Sequence, residues 1–248
     1  MSEPASAGQE EEQKTQKPAN APGILQEVPV SSTLTSSLLA LGGGYLDGFT
    51  YVGHGHVFAN AMTGNVVLLG ISCVSGTWQT GFRHLPPIVA FIIGISAARI
   101  MKLPGARSRI RFPNLSVLAL EIAILSVISV LPQSTGAFWI TTSIAFAASV
   151  QVATFRDVNG RSYNSTFTTG NLRTLSEAIV DRFSSERKPE TGRVIRDFSL
   201  ICLSFLAGAM GGGFVTPKLG NRALWLEIAL LAVVAIRNWP TRNRTSPA

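Results

Sequence analysis

The chain alternates long apolar runs with short polar connections, a pattern that predicts membrane-crossing helices. A helix crosses the bilayer with about 20 mostly apolar residues, because each advances about 1.5 Å through a hydrocarbon core of about 30 Å. No Asp, Glu, Lys or Arg occurs in residues 48–82 or 122–155, whereas a soluble helix would show a charged face within two turns. Six runs therefore predict spans, near 34–53, 85–103, 115–131, 136–155, 197–215 and 221–237.

A seventh candidate span is the run from Val57 to Val74. It is apolar enough, but Asn60, Thr63 and the residues that follow interrupt it. The fold class predicted is an all-α polytopic membrane protein with six transmembrane helices in two inverted repeats, or seven helices if this run also crosses.

The two ends of the chain differ from the apolar middle. Residues 1–32 hold five acids and two lysines without any apolar period, which predicts a disordered acidic tail because such a segment cannot bury enough surface to offset chain entropy. Residues 238–248 form a basic tail. The net charge is +7, and the cations lie mostly in short connections between apolar runs. Lipid head groups and insertion topology explain cations at such positions better than nucleic acid does.

The basic connections predict the orientation in the membrane. Lys and Arg stay on the cytoplasmic side, and five of them lie between Arg99 and Arg111, with further cations between Arg156 and Arg196. With six spans, both termini are cytoplasmic and the protein lies in the plasma membrane. If Val57–Val74 also crosses, the N-terminus lies outside.

An internal repeat at a constant offset of 106 residues is the most informative feature. Residues 118–130 (LALEIAILSVISV) and 224–236 (LWLEIALLAVVAI) are identical at seven of thirteen positions. The triplet Thr-Gly-Asn occurs at 63–65 and again at 169–171, in the same register. A shared period of this kind indicates duplication, with units at 33–131 and 132–237.

The repeat also predicts how the units are oriented. Each unit reads as a span, a Thr-Gly-Asn segment and two further spans. The second such segment, at 168–183, carries four charges, which is too many for a bilayer crossing. If its counterpart behaves alike, each unit crosses three times and the two units are inverted, as in many transporters. If the first segment crosses, the two copies behave differently.

The two Thr-Gly-Asn triplets are candidate binding sites for an ion or a polar solute. Gly permits a break in a helix, while Thr and Asn supply caps or ligands. The alternative is that they only start helices and provide a tightly packed Gly. The candidates are Thr63, Gly64, Asn65, Thr169, Gly170 and Asn171.

Polar residues inside the predicted spans are further candidates. Glu121 and Glu227 occupy equivalent positions in the two units, and a carboxylate in the bilayer is costly enough to suggest a role in proton or cation binding. The alternative is a structural Glu that bonds across helices or reaches the interface. Asp47 has no acidic equivalent, since its offset partner is Ala153, and Gln151 is a nearby polar candidate.

No residue set supports catalysis or metal binding. No Ser/His/Asp or Cys/His combination is suitably placed, so we do not expect an enzyme. Cys73 and Cys202 both lie in apolar runs, which supports neither disulfides nor a cysteine metal site. We expect no cofactor.

The string GGYLDGFTYVGHGHVFANAMTGNVVLLG at 43–70 resembles the signature of the YoaK-like family of small integral membrane proteins. Asp47 matches the family's Asp in the first span, and Met62 to Asn65 match its Met-Thr-Gly-Asn motif. In the second half only Gln151 remains of the family's Gly-Gln-Asn triplet, and Asn171 replaces a Thr. The resemblance implies a multi-pass membrane protein without an assigned activity.

Two functions remain open at this stage. Intramembrane acids and paired Thr-Gly-Asn segments favour a small secondary transporter or permease with a midplane site for an unknown solute or ion. The short chain favours a non-transporting scaffold or partner subunit. The partner expected in both cases is the lipid bilayer, and neither substrate nor oligomeric state follows from the sequence.

Overall fold

The six predicted spans coincide largely with helices in a computed structural model, which describes residues 32–103, 105, 112–166, 168–184 and 189–239. The predicted disordered tail, apart from Ser32, and the basic tail from residue 240 lie outside the described residues. The helices are α1 (Thr33–Gly53), α2 (Met62–Val74), α3 (Trp78–Gly81), α4 (Leu85–Met101), α5 (Pro113–Val130), α6 (Ala137–Thr154), α7 (Thr168–Phe183), α8 (Thr191–Leu219) and α9 (Leu224–Arg237).

Short elements connect these helices. One 3₁₀ turn, Phe82–His84, joins α3 to α4, and another, Gly220–Ala223, joins α8 to α9. A two-stranded antiparallel hairpin, with β1 at Asp157–Val158 and β2 at Arg161–Ser162, follows α6.

Four continuous helical stretches within the described residues are long and apolar enough to cross a membrane. They are Trp78–Met101, Pro113–Val130, Ala137–Thr154 and Thr191–Arg237, the last of which contains both α8 and α9. The protein is therefore a helical membrane protein. Helix α1 is less apolar because it contains Asp47, three consecutive glycines and several hydroxyl side chains, and most of it is buried by neighbouring helices.

In the candidate seventh span, the helix begins later than the apolar run does. Residues 54–61 are not helical, and the helix that follows, α2, has 13 residues. Such a helix is about 20 Å long. The predicted span at 197–215 is instead the middle of a longer helix, α8, with 29 residues.

Helices α1 and α8 make the closest helix contact. A Cβ added to Gly44 would collide with Phe205 O, and one added to Gly208 would collide with Leu41 O. Gly48 and Gly212 repeat this arrangement one turn further on. Both helices thus place glycines four residues apart against each other, which allows the two parallel backbones to touch, as small residues do in membrane helix pairs.

The two largest helix contacts each join a helix of the first unit to a helix of the second. Helix α1 of the first unit packs along α8 of the second, and α6 of the second packs along α4 of the first. Helices α5 and α9, which carry the matched sequence, pack against each other. Exchanging the two units therefore exchanges the two large contacts and leaves the α5–α9 contact in place.

Candidate functional site

Each Thr-Gly-Asn triplet lies in the first turn of a helix, where its Asn folds back onto the preceding segment. Asn65 Nδ2 donates to Phe58 O at 2.7 Å, and Phe58 N donates to Asn65 Oδ1 at 3.0 Å. In the second unit, Asn171 Nδ2 donates to Asn164 O at 2.7 Å, and Asn164 N donates to Asn171 Oδ1 at 3.1 Å. The same two-bond clamp, between residues seven positions apart, occurs in both copies.

Of the two interpretations of the triplets, the structure agrees with the one in which they start helices. Thr63, Thr169 and Gly170 are exposed, and no helix is broken at either triplet. The triplets start helices, and the Asn, not the Thr, makes the buried contacts. The need for a small residue differs between the copies, since a Cβ on Gly64 would meet the Phe58 ring at 2.9 Å whereas one on Gly170 would meet nothing within 4 Å.

The segment before the first clamp, residues 54–61, folds back along α1 from its C-terminal end. Ala59 N donates to Thr50 Oγ1 at 3.1 Å, and Asn60 N donates to Asp47 Oδ1 at 2.7 Å. Asn60 Nδ2 then donates to Gly43 O at 3.1 Å. These partners lie at successively earlier positions of α1, so this first segment ends at the middle of the helix.

The segment before the second clamp, residues 155–166, follows the same helix from its other end. Asn159 Nδ2 donates to Thr33 Oγ1 at 3.0 Å at the start of α1. Further along, Ser165 O lies 2.8 Å from where a Cβ of Gly43 would be, and the Thr166 methyl lies 3.0 Å from it. The first and second segments therefore approach Gly43 from opposite ends of α1 and meet there.

The three consecutive glycines of α1 serve three different neighbours. A Cβ on Gly42 would collide with the carboxylate of Glu227, one on Gly43 with the second segment, and one on Gly44 with the backbone of α8. Successive residues of a helix point about 100° apart. The middle of α1 is thus enclosed on three sides, and only glycine leaves room for all three.

Three side-chain oxygens around this meeting point have no hydrogen-bond partner within the protein. They are Asp47 Oδ2, Asn60 Oδ1 and Ser165 Oγ, on residues that are 4%, 0% and 1% exposed. Buried polar atoms are almost always hydrogen-bonded, so unpaired ones call for an explanation.

Two buried glutamates lie next to this region. Glu121 and Glu227 are 1% and 2% exposed. Gln151 Nε2 donates to Glu121 Oε2 at 2.7 Å, and Glu227 lies against Gly42. One oxygen of each carboxylate, Oε1, has no hydrogen-bond partner in the protein. The equivalent acids of the two units thus both lie buried, one on each of the two helices that form the α5–α9 contact.

A cavity of about 850 Å³ lies at the end of the molecule where α1, α5 and α8 terminate. Its polar lining consists of His54, Ser129, Gln133, Thr216, Lys218, Asn221 and Arg222, and none of the described residues that line it is acidic. Burial lowers the pKa of His54 to about 4, with the Asn221 side chain opposing the shift. His54 is therefore neutral at neutral pH, and the cavity owes its positive charge to Lys218 and Arg222.

Comparison with known proteins identifies the family. Residues 35–237 match a family described as a protein of unknown function, DUF1275. This chain belongs to that family. It is 29% identical over 203 residues to the transmembrane protein YoaK of Bacillus subtilis, covering 79% of this chain and 88% of the relative. No solved structure matches it.

This DUF1275 protein groups its candidate residues in two places. Asp47 lies at the meeting point of the two segments. Glu227 lies beside it, against Gly42, and Gln151 bonds Glu121 in the α5–α9 region. Asn65 and Asn171 hold the segments in place. Among the described residues, no group of three or more His, Cys, Asp or Glu is placed to hold a metal ion.

The sequence patterns missed Asn60, Ser165 and Thr166 as site residues. The repeat itself contained a signal for them, because an offset of 106 aligns Ala59 with Ser165 and Asn60 with Thr166. In this DUF1275 protein, equivalent residues of the two units therefore meet at one point on α1.

Proposed function

We propose that this protein is a small secondary transporter or permease whose binding site lies midway across the bilayer, where the two segments meet on α1. The observation that carries this proposal is that two non-helical segments, from opposite ends of α1, converge on Gly43 and leave buried oxygens unpaired. Non-helical backbone at membrane depth occurs only where it is buried in protein or lines a cavity. Transporters commonly place such segments at the midplane, between two repeats.

The contacts beyond α1 support three crossings in each unit. Arg83 Nη1 donates to Gly55 O at 3.0 Å. Arg83 lies two residues before α4, and Gly55 lies two residues after α1. Helix α1 thus ends, and α4 begins, at the same side of the molecule. Helix α2 and its connections leave and return on that side, so the first unit crosses with α1, α4 and α5. The second unit crosses with α6, α8 and α9, and an odd number of crossings inverts one unit relative to the other.

The direction of the helices in this arrangement agrees with the parallel packing of α1 with α8. It also places the ends of α4 and α6, where Lys102 Nζ donates to Ala153 O at 2.6 Å, on the same side as the start of α1. This side carries the basic connections and is therefore cytoplasmic. The cavity near His54 then opens on the opposite face and provides access from outside.

We expect both chain termini to be cytoplasmic. Single cysteines at Ser2 and Ala248, in a background where Cys73 and Cys202 are replaced by serine, should resist a membrane-impermeant maleimide in intact cells. Both should react after the membrane is opened. Labelling of one terminus in intact cells would require an odd number of crossings and would contradict three crossings per unit.

We expect transport to depend on the paired glutamates. Glu121→Gln and Glu227→Gln keep size and hydrogen bonding but remove titration, so the double variant should fold normally and lose proton-linked flux. Purified protein in vesicles that contain a pH-sensitive dye is exposed to a pH gradient, and the flux of the double variant should fall to that of empty vesicles.

The control is Glu177→Gln, because Glu177 is exposed on α7 and pairs with Arg173; its flux should match the unaltered protein. Two results would instead favour the non-transporting scaffold or partner subunit. One is full flux in the double glutamine variant, and the other is wild-type flux no greater than that of empty vesicles.

A further inference from the structure

We propose that the meeting point of the two segments binds one sodium ion between Asp47, Asn60 and Ser165. This inference rests on the proposed function for the position of the site within the membrane. It adds the class of ion and the residues that hold it, which are distinct from the glutamate pair.

The three side chains share a common arrangement, in which one end is anchored and an oxygen is left free. Asp47 Oδ1 accepts from the N–H groups of Asn60 at 2.7 Å and Ala61 at 3.4 Å, while Oδ2 is unpaired. Asn60 Nδ2 is held by Gly43 O, while Oδ1 is unpaired. The backbone of Ser165 packs against Gly43, and its Oγ is unpaired. Fixed, unpaired oxygens of this kind form a preorganised site.

The chemistry of these oxygens favours a hard cation. Carboxylate, amide and hydroxyl oxygens bind hard cations, whereas soft metals prefer sulfur and imidazole. No cysteine or histidine contributes to the three unpaired atoms. An anion is excluded because all three atoms are hydrogen-bond acceptors or carry negative charge, and only the Ser165 hydroxyl has a proton to donate.

The charge of the site favours a monovalent ion over Ca²⁺ or Mg²⁺. Asp47 is the single carboxylate among the three ligands, and the nearby Glu227 contacts a different face of α1, at Gly42. One negative charge balances one Na⁺, whereas protein sites for divalent ions usually gather several carboxylates. A buried charge must be paired to be tolerated, so Na⁺ also compensates Asp47.

The competing occupants are a proton on Asp47 and a water molecule. A proton on Oδ2 would have the unpaired Asn60 Oδ1 and Ser165 Oγ as its acceptors, and a water molecule would satisfy the same oxygens without distinguishing one cation from another. Ion selectivity therefore separates sodium from both alternatives.

The test is the stability of the purified full-length protein in detergent in NaCl, KCl or choline chloride at equal ionic strength. Bound sodium stabilises the folded state by mass action, so NaCl should raise Tm by about 3 °C or more over the other two salts. Asp47→Asn should abolish the difference, and Ser165→Ala should at least halve it. The exposed residues Asp181 and Ser96 provide matched controls, and Asp181→Asn and Ser96→Ala should keep the full sodium effect.

Several outcomes would overturn the sodium site. Equal Tm values in the three salts would favour water, and a sodium effect retained in Asp47→Asn would place the ion elsewhere. A Tm that changes with pH but not with sodium would favour the proton. If Asp47→Asn does not fold, Ser165→Ala decides, because loss of a hydroxyl that lacks a protein partner should leave the fold intact.

The sodium test and the transport test can fail separately. A sodium effect without flux in vesicles would keep the ion site and reject the transporter. Flux without a sodium effect would keep the transporter and reject the ion site.

Discussion

Gly208→Ala is expected to separate α1 from α8 and to lower the free energy of unfolding by about 3 kcal/mol. The added Cβ would collide with Leu41 O, which belongs to a backbone that no side-chain rotation can relieve. Gly212→Ala should behave alike, because its Cβ would collide with Tyr45 O. Thermal unfolding of the purified variants in detergent measures the effect, and the loss of this contact should also release the α1 surface on which both segments lie.

Gly211 provides the matched control. It lies in the same helix, yet an added Cβ would meet only the Tyr45 ring, at 3.6 Å, which is an ordinary contact. Gly211→Ala should therefore leave stability unchanged or raise it slightly, since alanine favours a helix more than glycine does. Equal losses in Gly208→Ala and Gly211→Ala would show that helix contact is not the cause.

The membrane helices could be predicted because hydrocarbon imposes a simple rule on the sequence. Every backbone group must be paired within the segment, and about 20 apolar residues are needed to cross. The runs at 115–131 and 136–155 match α5 and α6 to within two residues. The same rule was less decisive for 57–74, where an apolar run is divided between a non-helical segment and a short helix.

The site was harder to predict because its contacts involve the backbone. Asp47 was identified from its cost in a membrane, but its partners are the N–H groups of Asn60 and Ala61, which any residue except proline could provide. The triplets were identified as segments, yet their sequence did not indicate that Asn alone makes the buried bonds. Side-chain identity marked the position of the site, whereas its geometry depends on the folded backbone.

The repeat is the feature that connects sequence and site. The offset of 106 aligned Glu121 with Glu227, and both residues are buried on contacting helices. It also aligned Asn65 with Asn171, and these residues make the same clamp. Asp47 has Ala153 as its counterpart, so the meeting point is acidic on one side only. The proposed ion site therefore takes its carboxylate from the first unit alone.

The Asn clamps are expected to keep the two segments in their folded conformation. Asn65→Ala removes both bonds to Phe58 and leaves an N–H and a carbonyl unpaired, which should cost about 1–3 kcal/mol. Asn171→Ala removes the equivalent bonds to Asn164. The loss should be greater at Asn65, because its Oδ1 also lies 3.3 Å from His84 Nδ1 and because its segment supplies the backbone donors of Asp47.

Amide hydrogen exchange of the protein in detergent measures this effect locally. Asn65→Ala should speed exchange at residues 58–61, and Asn171→Ala should speed it at 164–166, with smaller changes in α5 and α9. Thr63→Ala and Thr169→Ala are the matched controls, since both threonines are exposed members of the same triplets. If the threonine variants speed exchange as much as the asparagine variants do, the triplets act only as helix starts and the Asn bonds do not hold the segments. If the asparagine variants leave exchange unchanged, α1 alone holds the segments. The first is then held by the bonds that Thr50, Asp47 and Gly43 accept, and the second by the bond that Thr33 accepts.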